Sequence, residues 1–262
     1  MSLSSILSGK KVGLVLSGGG VKGVAHVGII KALLERDIHP DIVSGASAGA
    51  IVGALYANGT SPSDMISFFK DTPLFKYSHF TIYKPGLFDT DKYFTSFKKY
   101  FPINEFEGLK KQLYVVATNL QTGQSQFFHK GELLQKVLAS AALPPVFSPV
   151  NIDGQLYADG GIMNNFPIEP LIDTSNFIIG AYTTAFKEVE KGMLKNSLQL
   201  SQRANLLMLH ANVKSKLHIP NLLFMPENLD SIGVLDKRGI EKSYNIGYDY
   251  ASKLLDNAFN NF

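Results

Sequence analysis

The sequence predicts an α/β fold: a three-layer α/β/α sandwich with a mostly parallel central sheet and an inserted aromatic-rich helical excursion. Three observations predict it. Short apolar runs of strand length alternate with helix-period runs from the start, the pattern of βα units on a parallel sheet. Two of the strand-to-helix junctions, residues 18–23 and 45–49, are rich in glycine. One stretch, residues 68–106, breaks the alternation with a concentration of aromatic rings.

Taken in order, residues 12–16 (Val-Gly-Leu-Val-Leu) read as a buried strand. Residues 23–36 read as a helix, with Val24, Val27, Ile30, Leu33 and Leu34 near the helical period. A second strand is expected at 41–44 and a second helix at 48–58, closed by Asn58-Gly59. Further strands are expected at 112–119, 125–128, 155–158, 176–183 and 222–225. Further helices are expected at 131–142, 188–212 and 239–260, the last with Tyr244, Tyr248, Ala251 and Leu255 at steps of three and four. No internal repeat, low-complexity tract or linker interrupts the chain, so residues 1–262 are expected to form one domain. Within it, about 12–170 carries the motifs and about 60–110 is the insertion.

Composition narrows the function. With 45% hydrophobic and 18% charged residues, the chain has the profile of a packed globular protein. Cysteine is absent, which excludes a disulfide scaffold, a cysteine nucleophile and cysteine metal sites. The histidines and acids do not fall in ligand spacings either, so neither a metal nor another cofactor is expected. A net charge of +3, from 25 basic and 22 acidic residues, is too small to argue for nucleic acid, though it suits an anionic lipid surface. Residues 1–11 hold no cationic start before an apolar run, and no 18 apolar residues run together. The expectation is a soluble cytoplasmic enzyme whose membrane contact, if any, is peripheral.

Residues 68–106 hold 13 of the 29 Phe and Tyr side chains, beside six lysines and four acids. Two roles stand open for these rings. They can pack the excursion onto the body, or form a lid that lines an apolar substrate channel or touches lipid. Phe68, Phe69, Phe75, Tyr93, Phe94 and Phe97 are the residues on which the channel role is to be judged.

The chemistry is concentrated in three short motifs. Gly18-Gly19-Gly20-Val21-Lys22-Gly23 follows a strand and opens a helix. Bare N–H groups at a helix N-terminus suit a phosphate or a transient oxyanion. The same string satisfies a dinucleotide fingerprint, but the acid such a site needs on the ribose, Asp41, begins its strand instead of ending it. Lys22 is followed by Gly23, which excludes a Walker loop. Gly45-Ala46-Ser47-Ala48-Gly49 is a nucleophile-elbow pattern between a strand and a helix, although Ser47 alone could be a plain N-cap. Adjacent βα loops open at one sheet edge, so a nucleophile and an oxyanion cradle can converge there. The six histidines (His26, His39, His79, His129, His210, His218) sit in no motif. Asp159, closing a strand before Gly160-Gly161, is the better candidate base, or else a turn residue.

The order Gly-Gly-Gly-x-Lys-Gly, Gly-x-Ser-x-Gly, Asp-Gly-Gly resembles the patatin-like phospholipase family, as do the proline-rich stretch at 140–150 and Asn165-x-Pro167. The resemblance implies a serine–aspartate dyad hydrolase without a catalytic histidine. It implies Ser47 as nucleophile between Gly45 and Gly49, Asp159 as base before Gly160 and Gly161, and an oxyanion hole from the loop holding Gly18, Gly19, Gly20, Lys22 and Gly23. The function expected is lipid acyl hydrolysis through an acyl-enzyme, with an acyl lipid as the molecule bound. Acyl transfer to an alcohol or thiol is the alternative within the chemistry, but the usual acyltransferase elbow has His beside the serine, where this chain has Ala46 and Ala48. A catalytically silent lipid-binding regulator and a dinucleotide-binding domain are the alternatives outside it.

Overall fold

The computed structural model describes residues 3–72, 77–185 and 188–260. Its strands are β1 (Val12–Leu16), β2 (Ile42–Ala46), β3 (Gln112–Asn119), β4 (Gln124–Phe128), β5 (Val150–Ile152), β6 (Gln155–Ala158), β7 (Phe177–Ala181) and β8 (Leu222–Phe224). Its α-helices are α1 (Leu3–Leu7), α2 (Ala25–Leu34), α3 (Ala48–Ala57), α4 (Pro62–Asp71), α5 (Phe94–Lys98), α6 (Leu134–Ser140), α7 (Gly161–Asn164), α8 (Glu169–Ile172), α9 (Ser197–Ala211) and α10 (Ile240–Asn260).

The sheet runs β5-β6-β3-β2-β1-β7-β8, with β4 also paired to β3. The ladders β3–β2, β2–β1, β1–β7 and β7–β8 are parallel, while β4, β5 and β6 join antiparallel. Central strands buried on both faces read as unbroken apolar runs, and β1 is buried at every position. Alternate residues serve opposite layers: Leu14, Leu16 and Val43 join one core, Val15 and Ile42 the other. The larger core lies under α2, α3, α4 and α10; the smaller holds Phe166, Ile168, Leu171, Tyr182 and Val213. This is an α/β/α sandwich with a mostly parallel centre.

One register places the chemistry. Val115 and Val116 pair with β4 on one edge of β3 and with β2 on the other. Thr118 and Asn119 also pair with β4, so β6, which pairs with the same two residues, shares the β2 edge and ends facing the end of β2. Ala46 is opposite Val116 and Ala158 opposite Thr118. The residues that follow, Ser47 running one way and Asp159 the other, therefore meet at the level of Ala117.

Several elements differ in extent from the sequence expectation. The helix expected from Gly23 begins as a 3-10 turn, Gly20–Val24, and becomes α-helical at Ala25. β2 starts at Ile42, because the Asp41 carboxylate is used before the strand to accept the Val12 N–H at 2.8 Å. The helix expected at 131–142 is only Leu134–Ser140; Gly131 turns at φ 73 ahead of it. The one expected at 188–212 is only Ser197–Ala211, started by Asn196, whose side chain accepts the Gln199 N–H. The excursion holds α4 and α5 joined by 3-10 turns and irregular chain, and Phe75 lies outside the described residues.

Candidate active site

Ser47 is the single residue between β2 and α3. Its backbone has φ 53 and ψ −124, a left-handed conformation that costs a non-glycine residue of order 1–3 kcal/mol. The surroundings hold it there. The Ser47 N–H donates to Ser140 Oγ at 2.9 Å, and that hydroxyl donates to Val116 O at 2.6 Å. The Ala50 N–H donates to Ser47 O at 2.9 Å. A side chain at Gly49 would run into the carbonyls of Leu16 and Ser17, and one at Gly45 into the backbone of Gly49. The motif needs glycine at both positions because α3 starts flush against β1 and β2.

Asp159 follows β6 and is 3% exposed. Ser47 Oγ donates to Asp159 Oδ2 at 2.6 Å, and the Gly161 N–H donates to Oδ1 at 2.7 Å. Thr118 Oγ1 donates to the Asp159 carbonyl at 2.8 Å, fixing the backbone beneath. Burial pushes the carboxyl up from 3.8 to about 6, against the opposing pull of the Ser47 hydroxyl and the Gly161 N–H. Asp159 is thus mostly ionised at pH 7, yet far more basic than an exposed aspartate. Gly160 lies against the Val116 carbonyl and Gly161 against Asn165, so both must lack a side chain.

The glycine-rich loop faces the same point. The Gly18 N–H donates to Asn165 Oδ1 at 3.1 Å, the Val21 N–H to Val234 O at 2.8 Å and the Lys22 N–H to Gly19 O at 3.2 Å. Among the described residues, no intramolecular acceptor is found for the N–H groups of Gly19 and Gly20. Gly20 has φ 57 and packs against Val234. Gly23 packs against Ala48 at the head of α3. The Lys22 side chain is buried and turned toward Asp230, with Nζ 3.8 Å from Oδ1; burial lowers its pKa, and Asp230 partly restores it.

A cavity of about 110 Å³ opens beside Ser47 and Gly20. Apolar side chains dominate its wall, among them Ile51, Phe69, Tyr93, Phe97, Leu138 and Phe147. The rings of the excursion serve two ends. Phe68, which also borders the cavity, is 1% exposed and makes edge contacts with Phe69, Phe97 and Tyr100. Tyr93 stacks edge-on to Phe147 at the wall. Phe94 packs against the core without reaching the cavity.

A patatin-like phospholipase family profile matches residues 14–172, more than half of the chain. The chain belongs to the patatin-like phospholipase family. Patatin-like enzymes are lipid acyl hydrolases that work through a serine, and this chain presents a serine in that setting. Over 286 residues it is 27% identical to Lysophospholipase nte1 of Emericella nidulans, covering 97% of this chain and 18% of that protein. It is 34% identical over 179 residues to the patatin-like phospholipase domain-containing protein ZK370.4 of Caenorhabditis elegans, covering 64% of this chain and 13% of that one. The chain thus spans less than a fifth of these relatives' length. The crystal structure of VipD from Legionella pneumophila has the same fold, with a TM-score of 0.55, 19% identity, and coverage of 95% of this chain and 67% of that chain.

Around the patatin-like motifs stand residues to which the sequence assigned no role. Ser140 buttresses the elbow. Asn165 ties the acid loop to the glycine loop, and its Nδ2 donates to Thr184 Oγ1 at 3.0 Å. Ser17 Oγ accepts the Thr183 N–H at 2.9 Å beneath Gly18. Ser140 and Asn165 lie in the two connecting segments that resemble the family; Thr183 and Thr184 carry no local signal. Of the histidines, His26 is buried with Nε2 2.8 Å from Ser17 O, and His210 meets the Tyr182 hydroxyl at 3.1 Å. Asp41 stands at the opposite end of β2 from Ser47, away from the glycine loop. Among the described residues no helix is long and apolar enough to cross a membrane.

Proposed function

We propose that the chain hydrolyses the carboxylic ester of a fatty acyl lipid, with Ser47 as nucleophile and Asp159 as general base. The observation that carries this is the 2.6 Å hydrogen bond to a buried carboxylate from Oγ of Ser47, a residue that lines an apolar cavity. As Oγ attacks the acyl carbonyl, its proton passes to Asp159 Oδ2. The electron pair displaced onto the carbonyl oxygen is held by the N–H groups of Gly19 and Gly20, and the positive end of the following helix adds to the field. The tetrahedral species collapses; the leaving alcohol takes the proton from Asp159 and the acyl group stays on Ser47. A water then attacks the acyl-enzyme, gives its proton to Asp159, and releases the fatty acid as Oγ recovers its hydrogen.

A carboxyl near 6 suits this task, because a base is most effective when its pKa lies near the working pH. Gly18, Lys22 and Gly23 shape the cradle, with their N–H groups already committed or inside the turn. The narrow apolar cavity of about 110 Å³ at Ser47 favours a substrate with one acyl chain, which accords with relatives named lysophospholipases. Residues 1–262 act on this view as one unit, working in the cytoplasm at a membrane surface. A hydrolysis panel of lysophospholipids, diacyl phospholipids and acylglycerols tests it. Fatty acid release should be greatest from lysophospholipids and vanish in Ser47→Ala. Release that survives Ser47→Ala would defeat the assignment.

A further inference from the structure

Helix α9 rests on the body by one side and leaves the other uncovered. On the inner side the His210 ring meets Tyr182, the Asn212 side chain just beyond the helix donates to the Ile162 carbonyl at 3.4 Å, and Val213 is fully buried. On the outer side Leu200, Ala204, Leu207, Met208 and Ala211 fall within an arc of about 100°. All five are exposed, Leu200 at 58% and Met208 at 60%. Met193 in the turn ahead and Met163 on α7 are exposed as well.

Charge identifies what covers this face. Residues 191–216 contain five cations, Lys191, Lys195, Arg203, Lys214 and Lys216, and no acid. Lys191, Lys195 and Lys214 are exposed. The nearest acids along the chain are Glu188 and Glu190 just ahead, and Glu169 on α8 is already held by Lys216 at 2.5 Å. An apolar helix face rimmed by cations is the pattern of a helix lying in a lipid interface. The face also sits at the working edge of the sheet, since α7, which α9 contacts, begins two residues after Asp159.

We propose that the outer face of α9 docks the chain on an anionic lipid bilayer and so presents the cavity to its substrate. This deepens the reading of a lipid hydrolase and rests on it, but docking is scored apart from turnover. The exposed tip of the excursion, Ile82 and Tyr83, is the weaker surface for this role. Its cation Lys84 is tied to Asp89 at 2.7 Å and Asp91 at 2.5 Å, and Lys92 is turned onto the carbonyls of Ser78 and Phe80.

The test is co-sedimentation of Ser47→Ala protein with phosphatidylcholine vesicles, with and without phosphatidylglycerol. Binding should require phosphatidylglycerol and weaken with salt. Leu207→Glu with Met208→Glu should lower the partition coefficient more than tenfold, and Lys191→Gln, Lys195→Gln and Lys214→Gln by about fivefold each. The same substitutions in active protein should leave the melting temperature and short soluble ester hydrolysis unchanged. Docking on α9 is overturned by any of three results: no binding to anionic vesicles, binding untouched by the α9 changes but lost in Ile82→Asp with Tyr83→Asp, or a dimer in solution that the α9 changes dissociate. Failure of the hydrolase reading has a different signature, namely vesicle binding without ester hydrolysis by the unsubstituted chain.

Discussion

At the scale of the residue, the site stores free energy in Asp159. Its folded pKa, about 6, lies above its unfolded value of about 3.8. Between those values the folded state binds more protons than the unfolded one, so stability falls as pH rises through the window and stays lower above it. Two units are worth on the order of 3 kcal/mol. Asp159→Asn should therefore raise the melting temperature at pH 8 and change it little at pH 4, while cutting kcat on the order of 10³–10⁴-fold. Equal melting temperatures at pH 8 would show that burial of the ionised carboxyl costs nothing. In the parent protein, kcat/KM should fall on the acid side with an apparent pKa near 6. The Gly18–Asn165 bond predicts a subtler effect. Asn165→Ala frees the Gly18 N–H and loosens the cradle, and should lower kcat about 10–100-fold with KM nearly unchanged; a purely structural Asn165 would shift melting temperature and leave kcat per folded molecule alone. Ser47 and Asp159, the two side chains that the structure brings into hydrogen-bond contact, stood out in the sequence because short glycine motifs frame them. Which N–H groups stay free was not legible, since the acceptor on Gly18 comes from 147 positions away.

At the scale of the element, the aromatic excursion divides its rings between packing and lining. Phe68→Ala removes a ring that touches three others, and should cost about 3–5 kcal/mol of stability. Phe147→Ala, which removes the ring outside the excursion that Tyr93 packs against at the cavity wall, should instead alter the dependence of kcat/KM on acyl length with a smaller loss of stability. Rates on an ester series from short to long chains, measured beside thermal melts of both variants, separate the two roles; an unchanged length profile in Phe147→Ala removes that ring from the acyl path. The strands β1, β2 and β3 were legible because largely buried apolar runs between turn residues leave few alternatives. α9 was overextended because its apolar spacing continues weakly into residues 188–196, whereas Asn196 caps the helix. β5, three residues long, has too little pattern to announce itself.

At the scale of the whole molecule, the pairing of Ser47 with Asp159 is a consequence of sheet topology. A parallel strand and an antiparallel strand share one edge of β3 and end facing each other, which brings positions 47 and 159 together without a loop having to reach across. α2 and α10 cross where a side chain at Gly28 would strike the Tyr244 carbonyl and one at Gly247 the Ala25 carbonyl, so the layer over the glycine loop is closely packed. The alternation of elements was enough to foresee the layers, but not that β6 would share an edge with β2, since strand order depends on contacts distant in sequence. The most direct test of the dyad is reaction with a fluorophosphonate, followed by mapping of the labelled peptide and the pH dependence of the labelling rate. One label per chain should map to Ser47, with a rate that falls below pH 6 and drops at least a hundredfold in Asp159→Asn. A label on another serine, or an unchanged rate in Asp159→Asn, would contradict a Ser47–Asp159 dyad.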